Sequence, residues 1–164
     1  MINYIGIKEL RATPMTRGEY NLYRGWDCPP DENPGDSGYL VEYKVAEGNN
    51  SNHVNHAGYI SWSPSAVFDN HYRCSGYLSF SHALELLKQG HRVARAGWNG
   101  KSMFIFLVPG SNFKVNRPPL LGIYPEGTEI DYHSHIDMKT ADNQVVPWLA
   151  SQTDMLADDW EVVG

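Results

Sequence analysis

Apolar and polar positions alternate most clearly from Gly38 to Val45. Tyr39, Val41, Tyr43 and Val45 take one face, and Leu40, Glu42 and Lys44 the other, which is the period of a strand. Tyr59-Ile60-Ser61-Trp62 predicts another strand. Ser63-Pro64 then opens a short helix, with Ser as cap, Pro at the first helical position and Ala66, Val67 and Phe68 packed inward. Thr16 followed by Glu19 is a capping-box pattern, so a helix is expected from Arg17 to Arg24, stopped by Gly25. Ile2 to Leu10 reads as a loose N-terminal strand.

The second half begins with Phe80, Ala83, Leu84 and Leu87 at i, i+3, i+4 and i+7, one stripe of an amphipathic helix. Ser79 is its cap and Gly90 its stop. Val93-Ala94-Arg95-Ala96-Gly97-Trp98-Asn99-Gly100-Lys101 then reads as a strand and a tight polar turn, because Asn-Gly tolerates positive φ. Met103 to Val108 is a continuous apolar run, expected as a strand buried on both faces. Glu129 to Lys139 alternates throughout and predicts one strand, followed by a turn at Asp142-Asn143 and a partner strand from Gln144 to Leu149. Ser151 and Asp154 are a second capping pair for a helix from Gln152 to Ala157, and Trp160 to Val163 closes the sheet.

These elements predict an α+β protein of small antiparallel sheets and short helices in two modules: residues 1–75, and a mainly β module over 76–164. Hydrophobic content of 41% and charge of 20% fit a folded protein, and 12% aromatic residues with frequent Gly and Pro favour strands and turns over a bundle. A net charge of −6 argues against general binding to DNA or RNA. No apolar run approaches the roughly 18 residues of a bilayer span, so no membrane association is expected. Met1-Ile2-Asn3-Tyr4 shows no basic stretch leading into an apolar one, so no signal peptide is expected. Cys28 and Cys74 fit no metal-ligand spacing and suggest reduced thiols in a cytosolic chain.

Two places offer chemistry. Asp131, His133, His135 and Asp137 would share one face of the long strand, a donor set suited to zinc or iron; solvent-facing polar residues account for the same alternation. Trp98 and Trp148 each sit at a strand end beside polar residues. If they converge they sandwich a purine, at about 1–3 kcal/mol per stacked base. Nanomolar binding needs about 12 kcal/mol, so phosphate and ribose contacts must join in. The plainer reading of Trp98 is a core residue at a hairpin end. No nucleophile elbow, Gly-Lys-Ser phosphate loop or His-Glu-x-x-His motif is present, so no catalytic residue is assigned.

The segments FSHALELLKQGHRVARAGWNGKSMFIFLVPGSNF and PPLLGIYPEGTEIDYHSHIDMKTADNQVVPWLASQTDMLADDWEVV closely resemble the Thoeris anti-defence 2 family of small phage proteins, over about residues 78–163. Residues 1–73, with ATPMTRGEYNLYRGW, DENPGDSGYLVEY and YISWSP, look like a separate phage module. The resemblance implies a molecular sponge that holds a cyclic signal without cleaving it. That signal is the glycocyclic ADP-ribose of bacterial TIR proteins, joined in some members by CBASS cyclic di- or trinucleotides at a second site. It implies a homotetramer in the host bacterial cytoplasm, with pockets between protomers and no cofactor. Trp98 and Trp148 then match the purine contacts. Arg95, Asn99, Gly100 and Lys101, with Ser151, Asp154 and Met155, are assigned to phosphate or ribose. Two other readings compete: a metal-dependent nucleotide hydrolase or lyase using His133, His135 and Asp137, and an adaptor that binds protein through residues 1–73.

Overall fold

The computed structural model describes residues 2, 6–44, 51–98 and 102–164. The chain divides into two compact units, residues 1–73 and 74–164. Short helices and small antiparallel sheets make it an α+β fold with mostly sheet content, as the residue pattern predicts. No helix among the described residues is long and apolar enough to cross a membrane.

The N-terminal unit is a three-stranded antiparallel sheet, β1 (Leu10–Pro14), β2 (Gly38–Tyr43) and β3 (Tyr59–Pro64), in that spatial order. Helix α1 (Arg17–Arg24) starts as expected: Thr16 Oγ1 accepts from Glu19 N, the Glu19 carboxylate accepts from Thr16 N, and Gly25 ends it at φ 70°. Tyr20 from this helix meets Leu40 and Ile60 in the unit's core. Three expectations shift. Among the described residues the first strand begins only at Leu10, where pairing with Tyr43 starts. The second ends at Tyr43, and Val45 lies outside the described residues. β3 runs through Pro64, so α2 (Ser65–His71) is capped by Pro64, without a side-chain bond. Ala66 and Val67 are exposed; of the three residues expected inside, only Phe68 packs, stacked on Tyr39 and Tyr72.

The C-terminal unit packs helix α3 (Phe80–Lys88) against a five-stranded antiparallel sheet. Its strands are β4 (Arg92–Arg95), β5 (Phe104–Val108), β8 (His135–Lys139), β9 (Val145–Pro147) and β10 (Trp160–Val163), in the order β10-β4-β5-β8-β9. Ala83 and Leu87 from the helix close on Val93, Ile105 and Trp160, each at 0% exposure, with Leu78 beside them. In β5 only Ile105 is fully buried; its neighbours are half-buried, so the strand is not sealed on both faces. The hairpin between β4 and β5 is wider than a two-residue turn, since residues 96–103 separate the strands.

The strand expected from Glu129 to Lys139 is two strands. It breaks at His133-Ser134, where β7 (Glu129–Tyr132) pairs with β6 (Ser111–Lys114) in a separate hairpin and β8 joins the main sheet beside β5. Gly110 packs against the break. Its N–H donates to Ser134 Oγ at 3.0 Å, and a Cβ there would stand 2.5 Å from the Tyr132 carbonyl oxygen. Alternation in sequence cannot reveal that the chain changes hydrogen-bonding partner midway.

Candidate functional site

At one end of β4 the strand delivers Arg95 and then turns into the segment that carries Trp98. Arg95 Nε donates to Asp159 Oδ1 at 2.8 Å, and its Nη1 to Asp154 Oδ1 at 2.9 Å. Both carboxylates are placed by neighbouring structure. Asp159 precedes β10, whose first residue, Trp160, is in register with Arg95. Asp154 sits in the first turn of α4 (Gln152–Met155), where it completes the expected capping box with Ser151. Asp159 also accepts from Gly97 N at 2.9 Å, so the chain leaving β4 is tied down before it reaches Trp98.

The charges answer to this arrangement. Hydrogen bonding from Arg95 outweighs burial and, with a lesser contribution from the Gly97 N–H, holds the Asp159 carboxyl below its ordinary value. Burial works to raise Asp154. Hydrogen bonds from Ser151, Arg95 and the Trp98 side chain outweigh it and leave Asp154 lowered as well. The Arg95 guanidinium is raised by the same two carboxylates, Asp159 first. Arg95 and Asp154 side chains are each 15% exposed, so the pair is shielded from screening more than a surface bridge would be. With two carboxylates on one guanidinium, the trio is net negative and Arg95 has little charge left for a phosphate.

Above this trio lies an aromatic cluster. Trp98 and Trp148 meet at 6.3 Å with 66° between planes, and each also packs edge-on against Trp160, at 5.5 and 6.2 Å. Phe80 from α3 touches both Trp148 and Trp160. Trp160 is wholly buried and its Nε1 donates to the Asp154 carbonyl at 3.1 Å. The two half-buried indoles therefore do converge, but at a steep angle and in direct contact. No parallel slot lies between them, and a base would stack on the outward face of one ring.

The remaining site residues fall as follows. Ser151 lies with Arg95 and Asp154 in the network, its hydroxyl donating to Asp154 Oδ2 at 2.7 Å. Met155 is 46% exposed on the outer side of α4, next to the exposed Leu156. Asn99, Gly100 and Lys101 lie outside the described residues. Asp131 lies in β7 and His133 at the break that follows it, whereas His135 and Asp137 belong to β8. His135 Nε2 stands 3.8 Å from Asp137 Oδ1, and no group of three metal-ligating side chains occurs among the described residues. Asp159, the main partner of Arg95, is not among the residues singled out from the sequence. The available signal was its place directly before the closing strand, which must enter the sheet beside β4.

The family model of the Thoeris anti-defense 2-like domain matches residues 78–163, the whole of this site and its sheet. The chain belongs to that family. A curated relative, Thoeris anti-defense 2 of Bacillus phage SP01, is 45% identical over 86 residues, which are 52% of this chain and 94% of the relative. The anti-defence domain accordingly has the helix, the five-stranded sheet and the tryptophan cluster within the matched span, and residues 1–73 lie outside it. Membership supports a role in phage anti-defence.

Proposed function

We propose that the anti-defence domain binds a cyclic nucleotide immune signal and sequesters it without cleavage. Glycocyclic ADP-ribose is the first candidate, and CBASS cyclic di- or trinucleotides are a second class at a separate site. The family match over residues 78–163 carries this reading. The site geometry supports it: Asp159 and Arg95 anchor the segment that presents Trp98 to an outer surface, and Trp148 lies against it. The purine stacks on an outward indole face. Phosphates meet Lys101 and the backbone donors of Asn99 and Gly100, because Arg95 is committed to its carboxylates. Exposed Leu149, Met155 and Leu156 form an apolar margin around α4. Such a margin fits a neighbouring protomer that closes the pocket, as in a homotetramer acting in the host bacterial cytoplasm.

Mixing the protein with glycocyclic ADP-ribose in equal amounts tests this directly. Free signal is expected to disappear in proportion to protein and to return intact after heat denaturation. Recovery of a hydrolysed product, or no depletion at all, overturns the reading. Trp98→Ala should weaken binding by about tenfold to a hundredfold, the loss of one stacking face. If that variant and Trp148→Ala keep full anti-defence effect while loss of residues 1–73 abolishes it, the adaptor reading takes over.

A further inference from the structure

Four side chains of the N-terminal unit that this function leaves unused converge from separate elements. Tyr23 comes from α1, Glu42 from β2, and His53 and His56 from the segment entering β3. Tyr23 Oη lies 2.9 Å from His56 Nε2, and His56 Nδ1 lies 3.1 Å from Glu42 Oε2. Glu42 is fixed in turn by Gly58, whose N–H donates to its Oε1 at 2.9 Å. A Cβ on Gly58 would stand 1.9 Å from the Tyr43 carbonyl oxygen, so only glycine brings that N–H so close. The Gly58 N–H and then His56 hold the Glu42 carboxyl below its ordinary value, which keeps it ionised beside the ring.

His53 stacks on the Tyr23 ring at 4.6 Å and 25°. Asn55 N–H donates to His53 Nδ1 at 3.3 Å, which assigns the ring proton to Nε2. The segment is tied to β3, where Asn52 exchanges two hydrogen bonds with the Ile60 backbone at 2.7 and 2.9 Å. Ser51, Asn52, Val54 and both histidines line an open depression of about 440 Å³. With Nδ1–H toward Glu42, His56 turns a lone pair to the Tyr23 hydroxyl. Nucleophile, base and orienting carboxylate are thus in sequence. With His53 protonated at Nε2 and both His56 nitrogens engaged, this is a proton-handling cluster, not a metal site.

We propose that this cluster is an acyl-transfer site for small esters, with Tyr23 as the nucleophile, independent of the sponge reading. Tyr23 Oη attacks the ester carbonyl carbon and forms the new C–O bond, while its proton passes to His56 Nε2. Glu42 balances the imidazolium, and His53 Nε2–H donates to the oxyanion. Collapse breaks the bond to the alcohol, which leaves with the proton from His56. Water then repeats the sequence on the acyl-tyrosine and releases the acid.

The full chain mixed with p-nitrophenyl acetate should release a burst of p-nitrophenolate, with one acetyl group per chain, mapped to Tyr23 by peptide mass spectrometry. Tyr23→Phe keeps the stacked ring and should abolish the burst. His56→Gln should slow it about 100-fold, the scale of general-base catalysis. Glu42 is a positioning residue, so Glu42→Gln should lower the limiting rate and leave the half-saturating ester concentration unchanged. No burst, acetylation confined to lysines, or a burst untouched by Tyr23→Phe overturns the proposal. Should His56→Gln unfold the unit, Tyr23→Phe alone decides.

Discussion

In the N-terminal unit the apolar cluster is Tyr20, Leu40 and Ile60, edged by Met15, Tyr23 and Trp62. In the C-terminal unit it is Leu78, Ala83, Leu87, Val93, Ile105 and Trp160, with two more tryptophans packed on it. The smaller core is supplemented by polar pairs that cross between elements: Arg17 with Glu32, Glu42 with His56, and Asn52 with the Ile60 backbone. Small domains bury too little apolar surface to stand on it alone, and satisfied polar networks then specify the arrangement. The larger core leaves its polar network, Arg95 with Asp154 and Asp159, at one end of the sheet, where it holds the segment leading to Trp98. Polar pairs thus help specify the first fold, where Glu42 and His56 also belong to the proposed acyl-transfer cluster, and in the second they tie down the segment that carries Trp98.

The most severe way to break the comparison is to empty each core. Trp160→Ala removes a side chain at 0% exposure and should cost about 3–5 kcal/mol, confined to residues 74–164. Ile60→Ala, at 1% exposure, should cost about 2–5 kcal/mol in residues 1–73. Residue-resolved hydrogen exchange should show protection lost in one unit and kept in the other. Loss in both from either substitution would mean that the two cores are one cooperative whole.

The same contrast decides what the sequence could reveal. Helices α1, α3 and α4 were legible because their signals are local: Thr16 with Glu19, the Phe80–Leu87 stripe, Ser151 with Asp154. The meeting of Trp98 and Trp148 was legible as a candidate, since each indole stands beside polar residues at a strand end. Their angle was not, because it depends on Trp160 and Phe80 arriving from distant elements. Arg95 looked free for a phosphate because its partners lie 59 and 64 residues away. The break at His133-Ser134 was hidden for a like reason: Gly110, which packs against it, sits on another strand's approach.

Arg95→Ala probes the second kind of network and should cost about 2–3 kcal/mol, the value of hydrogen bonds between charged groups that are partly shielded. Acid sharpens the test. Asp159 and Asp154 both titrate below their unfolded value when folded, so their contribution is complete above about pH 4 and is lost as pH falls through the lower folded values. Melting of the native protein and of Arg95→Ala across pH should therefore show a gap that is widest near neutrality and narrows in acid. A gap of constant width would mean that Arg95 matters by packing and not through its carboxylates.

The gentlest comparison uses the two capping boxes, one in each unit. Thr16→Ala removes the acceptor for Glu19 N, and Ser151→Ala the acceptor for Asp154 N, each at about 1 kcal/mol. The costs should match while the consequences differ. Thr16 caps a helix whose Tyr20 is in the core, so its loss should lower the stability of residues 1–73 and leave binding of the proposed signal unchanged. Ser151 caps a four-residue helix whose Asp154 holds Arg95, so its loss should also weaken the grip on the Trp98 segment. Calorimetric titration with the cyclic signal should then show lower affinity for Ser151→Ala at a temperature where both variants are fully folded. Equal affinities would place α4 outside the site and leave Trp98 to be positioned by Asp159 and Gly97 alone.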